Sequence, residues 1–228
     1  MLWFTQQKPA FFQATKQEQV ETIDRLISQG TVRSGYYLIL LLATLIVTPG
    51  LFLNNMPIVI GGMILAPLLI PVLSLSLSLV TGTWRGALRS LRILVLSFLM
   101  VVGTAAVLAI IIGHAMHEVP WYPQDMNPGI YIFVAFCSGI AGAFAWIKED
   151  MSPAIAGVAT AVSLLPPLCI AGISAAGLQW QLMQASLIVF VANFLGICMA
   201  AFLVFWLLGF LRAGKTEEKI LDRHAVKA

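Results

Sequence analysis

Long apolar stretches alternate with short polar segments along the whole chain. A helix needs about 20 apolar residues to cross the hydrocarbon core of a bilayer. Six stretches meet or approach this length, and they are 36–53, 57–80, 91–113, 130–147, 153–178 and 182–211. We therefore predict an all-α membrane protein with six transmembrane helices.

The polar segment before the first stretch predicts an amphipathic helix. Thr15 and Glu18 have the spacing of a capping box, which marks the start of a helix. Such a helix is expected either on the inner membrane surface or docked under the bundle. The apolar positions that follow the box recur at helical spacing: Val20, Ile23, Leu26 and Ile27.

The basic residues predict the orientation of the spans. If the N-terminus is inside, all 13 Lys and Arg fall in segments on the inner side, and the outer loops contain none. This is the distribution expected from the positive-inside rule. We expect residues 1–35 to be a cytoplasmic amphipathic segment, 36–211 the transmembrane domain, and 212–228 a cytoplasmic tail.

Composition narrows the function classes. The chain is 60% hydrophobic and 10% charged, with a net charge of +3. A soluble domain has about a quarter charged residues, and nucleic-acid binding needs a basic face. We therefore expect the lipid bilayer, and no nucleic acid, as a partner.

Residues for catalysis or metal binding are sparse. No Asp, Glu, Lys, Arg or His lies deep in a predicted span, and motifs of membrane hydrolases and ATPases are missing from the sequence. His114 and His117 lie three apart in an outer loop, where a solvated pair is favoured over a metal site. We predict no enzymatic activity, no cofactor and no metal.

An internal repeat appears when the sequence is shifted by 96 residues. Residues 57–113 then lie over 153–209 without a gap, and 14 of the 57 pairs are identical. Each repeat, about 36–113 and 130–209, contains three predicted spans. Because three is odd, the second copy enters the membrane from the opposite side, so we predict a 3+3 inverted-topology repeat.

Prolines interrupt the second and fifth predicted spans. A proline inside a helix removes a backbone hydrogen bond and clashes with the preceding turn, at about 3 kcal/mol. We predict that both helices are broken and that backbone groups at the breaks bind a solute at the midplane; ordinary proline kinks are the alternative. The predicted substrate-binding residues are Gly61, Pro67, Pro71, Ser74, Gly157, Thr160, Ser163, Pro166, Pro167 and Asn193.

These features favour a channel or a facilitated transporter for a small neutral or singly charged solute or ion. Asn193 has a second interpretation, a hydrogen bond between helices. Small-residue faces such as 139–142 predict a homo-oligomer. The alternative function is a non-transporting membrane scaffold or regulatory protein that acts through its N-terminal helix.

Residues 57–71, followed by Thr81, Gly82, Thr83 and Arg85, resemble the hallmark of the domain of unknown function 389 family. Residues 152–167 and 191–194 are similar to its second half. The resemblance covers about residues 30–211 and implies an uncharacterised, hydrophobic, multi-pass protein of the bacterial inner (plasma) membrane. It implies no activity and no substrate.

Overall fold

A computed structural model of the chain describes residues 14–29, 34–112, 128–147 and 153–225, with only the backbone described for 153–163. Every regular element among these residues is helical, which confirms the predicted all-α class. The helices are α1 (Lys16–Gln29), α2 (Ser34–Phe52), α3 (Met56–Leu65), α4 (Leu69–Thr81), α5 (Trp84–Ile112), α6 (Pro128–Ile147), α7 (Pro153–Ala176), α8 (Trp180–Leu207) and α9 (Gly214–Ala225), with a short 3-10 helix at Phe210–Arg212.

Several of these helices are suited to a membrane. Four of them, α2, α5, α6 and α8, are long and apolar enough to cross it, and the bent pair α3–α4 makes five if it is counted as one span. In α7 the apolar stretch with described side chains, Leu164–Ala176, is shorter. Helix α5 exposes large apolar side chains, among them Ile110 and Ile111, each at least 70% exposed. Length, composition and exposure together indicate a membrane protein.

The second predicted span is broken at Pro67. The N-cap of helix α3 is Asn55, whose side chain accepts a hydrogen bond from the Ile58 amide at 3.3 Å. It ends at Ala66, which has the extended backbone that a following proline favours. Helix α4 starts two residues after Pro67, and the two axes differ by 51°.

Pro71 does not break a helix. It lies in the first turn of α4, where the backbone N–H groups have no partner within the helix, so a proline there removes no hydrogen bond. Of the two prolines to which we attributed the interruption, Pro67 lies at the bend and Pro71 lies within α4.

The fifth predicted span is one helix. Helix α7 continues through Pro166 and Pro167, so the break that we predicted at this pair is not seen. The residues around the pair, Leu164, Leu165 and Leu168, are buried against neighbouring helices. A proline within a membrane helix is tolerated where neighbouring helices enclose it and its freed backbone groups find other partners. At the repeat position of Pro67 the second copy has Ser163, so the breaking proline is not shared.

Helix α1 docks under the bundle. Ile23, Leu26 and Ile27 are buried in a cluster with the whole length of α4 and the last turns of α6 and α8. The capping box forms as predicted, because the Thr15 amide donates to the Glu18 carboxylate at 2.7 Å and the Glu18 amide donates to the Thr15 hydroxyl at 3.2 Å. Of the two predicted positions, the structure has the docked one.

Helix α9 packs beside α1 and joins the same cluster through Ile220 and Leu221. We call this end of the bundle the basic end, since Arg85, Arg89 and Arg212 lie there. The α4–α5 turn is at the basic end. The α7–α8 turn is at the opposite end, because it precedes the first turn of α8 and the last turns of α8 reach the basic end.

These two turns have the same backbone conformation. Gly82 has a φ of 73° and Leu178, 96 residues later, a φ of 55°. A positive φ is uncommon for leucine. The positive φ in both copies shows that the two connections turn alike.

One hydrogen bond is common to the two turns, whereas the Gly82 amide donates to the Ser78 carbonyl oxygen and the Leu178 amide to that of Ala175. The Thr83 amide donates to the Ser78 carbonyl oxygen at 3.0 Å, and the Gln179 amide donates to the Ser174 carbonyl oxygen at 2.9 Å. Each residue of the second bond is the repeat mate of a residue in the first. The end of α2 has the same turn, with a φ of 49° at Asn54 and a bond from the Asn55 amide to the Gly50 carbonyl oxygen at 2.9 Å, and many helices end in this way.

Two contacts between helices are also related by the shift of 96 residues. The Ser76 hydroxyl of α4 donates to the Cys198 carbonyl oxygen of α8 at 3.3 Å. Gly172 of α7 packs on the Val102 carbonyl oxygen of α5 so closely that no side chain would fit. Gly172 is the repeat mate of Ser76, and Cys198 that of Val102. The two contacts exchange when the chain is shifted by 96 residues.

A cluster of phenylalanines lies between α5 and α8. The ring centroids of Phe98 and Phe194 are 6.0 Å apart, and Phe190 contacts both rings. Phe98 and Phe194 are repeat mates. A residue that contacts its own mate lies beside any two-fold axis that relates the copies.

Candidate functional site

The predicted site residues are not brought together at one midplane site. Pro71 and Ser74 line a cavity at the basic end. Gly61 is exposed on α3, with no other group within 4 Å of where a Cβ would lie. Asn193 is buried on α8.

The remaining predicted residues are divided between the break and α7. Pro67 is partly buried at the break, and Pro166 and Pro167 are buried within α7. The other three lie on the α7 backbone, and their side chains are outside the described part of the structure: Gly157, Thr160 and Ser163.

The cavity lies between α4 and α5 and is covered by α1 and α9. Its volume is about 20 Å³, which is room for about one water molecule. The polar side chains of its wall come from three helices, while α1 contributes apolar groups. The polar residues are Ser74, Ser78, Arg89, Ser90 and Glu217.

Glu217 of α9 is the most deeply buried acidic side chain among the described residues, with 2% of its surface exposed. The Ser78 hydroxyl donates to its carboxylate at 2.6 Å. The Thr81 hydroxyl donates to the other carboxylate oxygen. Because a buried charge is tolerated only when it is paired or hydrogen-bonded, these two bonds account for the burial.

Gly86 makes the close approach of this carboxylate possible. Any side chain at that position in the first turn of α5 would overlap Glu217 and the Ser78 hydroxyl. The turn before α5 needs Gly82, whose φ of 73° ends α4 in the left-handed conformation. Two glycines therefore shape the place where the carboxylate sits.

Charged side chains link α9 to its two neighbours, α1 and α5. Arg85 of α5 forms an ion pair with Asp222 at 3.0 Å, largely exposed to solvent. His224 lies 3.1 Å from the Asp24 carboxylate of α1. Arg89, half-buried in the cavity wall, donates to the Ile27 carbonyl oxygen at 3.4 Å. The tail helix is thus attached to both α1 and α5.

Sequence reasoning missed Glu217 and Gly86. The tail was interpreted only as a basic cytoplasmic segment. The signal was a pair of apolar residues, Ile220 and Leu221, three and four positions after an acidic residue, which is the spacing of one face of a helix. That face is the one that docks.

Chemically, the arrangement is suited to holding a carboxylate. Its hydroxyl groups donate, Gly86 leaves room, and α5 begins here with no acidic residue in its first turn. Within the described residues, no group of three or more His, Cys, Asp and Glu could hold a metal ion.

Comparison with known proteins identifies the family. The sequence profile of the domain of unknown function (DUF389) matches residues 63–199. An uncharacterized archaeal protein, MJ0678 of Methanocaldococcus jannaschii, is 30% identical over 178 residues, which are 74% of this chain and 52% of that protein. The chain thus spans about half the length of this curated relative, and no solved structure gives a significant match. Since the profile covers more than half of the chain, the protein belongs to the family defined by the domain of unknown function (DUF389).

Proposed function

We propose that the protein is a channel or facilitated transporter for a small neutral or singly charged solute. It has six transmembrane helices in a 3+3 inverted-topology repeat. The first copy consists of α2, the α3–α4 pair and α5, and the second of α6, α7 and α8.

The repeated turn supports this inverted repeat. Duplication of one fold unit would give a positive φ at both Gly82 and Leu178 and the one hydrogen bond that matches, although α2 ends in the same turn at Asn54. The exchanged contacts of Ser76 with Cys198 and of Gly172 with Val102 are those that a two-fold axis in the membrane plane would produce. The contact of Phe98 with its mate Phe194 supports the same axis, because two repeat mates that touch would lie beside it.

The observation that carries the transport proposal is the break at Pro67. Membrane helices are interrupted where the freed backbone groups meet protein or a water-filled path, and inverted repeats with broken helices are typical of transporters. Helix α3 packs against α7. The solute-binding groups that we propose are therefore the backbone groups at Ala66–Leu68, apart from the Ala66 amide, which donates to the Met63 carbonyl oxygen at 3.1 Å.

The path is closed in this conformation. Leu68 beside the break and Leu164 and Leu165 of α7 are fully buried. Transport therefore needs a movement that separates the break from α7. With no formal charge in this part of the core, a multivalent ion would be disfavoured.

The scaffold alternative is not favoured by the packing. That function requires the apolar stripe of α1 to be available to a partner. Ile23, Leu26 and Ile27 are buried against the bundle of the same chain. We retain the scaffold as the alternative that a failed transport assay would support.

We also propose insertion in the plasma membrane of a bacterium with both termini cytoplasmic and a homo-oligomeric state. Gly139 does not supply the oligomer contact, because it packs on Ile197 and Ala200 of α8 within the chain. Single cysteines at Asn55 and Glu218, both exposed, test the orientation with an impermeant thiol reagent in intact cells. Labelling of the cysteine at 55 and protection of the one at 218 are expected, and the reverse pattern overturns the topology.

Flux through the broken span is tested with Pro67→Ala in reconstituted liposomes. The alanine restores a backbone N–H, so α3 and α4 should join and flux should fall at least tenfold. Pro57→Ala is the matched control, because Pro57 lies in the first turn of α3, where the N–H has no helical partner. If Pro67→Ala transports chloride, potassium or glycerol as well as the wild type does, binding at the break is wrong.

A further inference from the structure

We propose that the α4–α5 turn is a receptor for a small carboxylate anion, and that Glu217 occupies it as a tethered competitor. A free carboxylate of the size of formate or acetate would bind at the same hydroxyl groups and release α9. The proposal concerns the basic end of the bundle and does not rest on the transport function.

The first argument is the polarity of the hydrogen bonds. A carboxylate only accepts, and Ser78 and Thr81 each supply a hydroxyl that donates to it. The hydroxyl of Thr83 lies 3.2 Å from that of Thr81 and completes a row of three. Two oxygens of one ligand are thus bound by separate donors, as in a designed anion site.

The second argument is the electrostatic surroundings. The N-terminus of a long helix carries partial positive charge, and α5 starts beside the carboxylate with no acidic residue in its first turn. Arg89 lines the same cavity, and Arg85 lies one residue before Gly86. An anion is therefore favoured here whether or not it is attached to the chain.

The third argument is that an anion is already bound. Glu217 is a carboxylate from a separate helix, brought from 136 residues further along the chain than Thr81. It is not part of the turn that holds it. The Glu217 side chain beyond its Cβ has about the size of acetate, and the adjacent cavity of about 20 Å³ adds little more. The receptor therefore selects a small monocarboxylate over a bulky anion.

The opposite turn shows what such a receptor requires. At the position of Gly86 the second copy has Leu182, which is partly buried and packs against the core. The Ser174 hydroxyl, mate of that of Ser78, is buried with no hydrogen-bond partner. A leucine in place of the glycine leaves no room for a carboxylate, so we assign the receptor to the basic end only.

The experiment is chemical rescue of Glu217→Ala in the full-length protein. Thermal unfolding in detergent is followed against increasing sodium acetate, with sodium chloride holding the ionic strength constant. Acetate should raise the unfolding temperature of this variant saturably, because a ligand that binds only the folded state stabilises it. Wild type, with its receptor filled, should respond little. Glu218→Ala is the matched control, since Glu218 is exposed next to Glu217, and it should behave as wild type.

An equal response of Glu217→Ala to acetate and chloride, or no saturation with acetate, overturns the proposal. If that variant does not fold, Glu217→Gln keeps the side-chain volume and weakens only the tethered ligand. Protease cleavage within α9 should then appear at an at least tenfold lower acetate concentration than in wild type. Cleavage that is independent of acetate in both proteins equally refutes the receptor. Neither measurement contains a flux step, so failure here is distinct from failure of the transport proposal.

Discussion

The α4–α5 turn and the α7–α8 turn share a left-handed residue at the same position but differ in the groups that pack against them. At the basic end, Gly86 admits the carboxylate of Glu217, which the Ser78 hydroxyl binds. At the opposite end, Leu182 takes the position of the glycine, and the Ser174 hydroxyl is buried without a partner. The difference teaches that the turn alone does not form a binding site. The carboxylate fits only where the following helix has a glycine instead of a larger residue.

The largest effect is expected from copying the second turn into the first. Gly86→Leu places a side chain where the Glu217 carboxylate lies, so α9 should detach. Overpacking costs about 1–3 kcal/mol, and the loss of hydrogen bonds to a charged group adds about 1.5–3 kcal/mol. Limited proteolysis should cut α9 much faster than in wild type. Gly103→Leu, in the same helix but facing open space, is the control and should leave cleavage unchanged.

The next effect is a difference in stability between substitutions of Ser78 and of its repeat mate Ser174. Ser78→Ala removes a donor to Glu217 and should destabilise the protein by about 1.5–3 kcal/mol. Ser174→Ala removes a buried hydroxyl that has no partner, so it should be neutral or stabilising by up to about 1 kcal/mol. Thermal unfolding of the pair under one condition measures both. Equal losses would show that the two hydroxyls have the same role and would remove the contrast between the turns.

A smaller effect is expected from the positive φ that the turns share. Leu178→Gly should stabilise by about 1 kcal/mol, because a left-handed conformation strains any residue with a Cβ. Leu178 is 72% exposed, so little packing is lost. Gly82→Ala should destabilise by a similar amount for the same reason. Unfolding temperatures that shift in the same direction for both variants would contradict the assigned turn.

The smallest effect is expected from removing the exposed ion pair that links α9 to α5. Arg85 and Asp222 form an ion pair that is more than half exposed. Such pairs contribute about 0.2–1 kcal/mol and weaken with salt. Asp222→Asn should therefore shift the unfolding temperature only slightly, and the shift should vanish at 1 M salt. A loss as large as that of Ser78→Ala would mean that the ion pair, rather than the carboxylate receptor, holds the tail helix.

The sequence predicted local features well where one physical rule acted alone. Examples are the capping box of Thr15 and Glu18, the place of Pro57 in the first turn of α3, and the positions of the long helices. Each depends on neighbours within a few residues, so tertiary packing has little to change.

The candidate site was predicted less well. Pro67 and Pro71 look alike in sequence, yet only Pro67 breaks the helix, because the effect of a proline depends on whether its position is within a helix or in a first turn. Pro166 and Pro167 lie within α7 without ending it. Helix periodicity does not reveal where a helix restarts after a break.

By itself, then, the sequence determined the helical class and the lengths of the apolar helices, since these follow from composition and short-range spacing. Only the tertiary structure decided that α1 and α9 dock at the basic end and that Glu217 enters the turn beside Gly86. Glu217 and Ser78 are 139 residues apart. A contact over such a separation depends on how all the helices between them pack, and no local pattern encodes it.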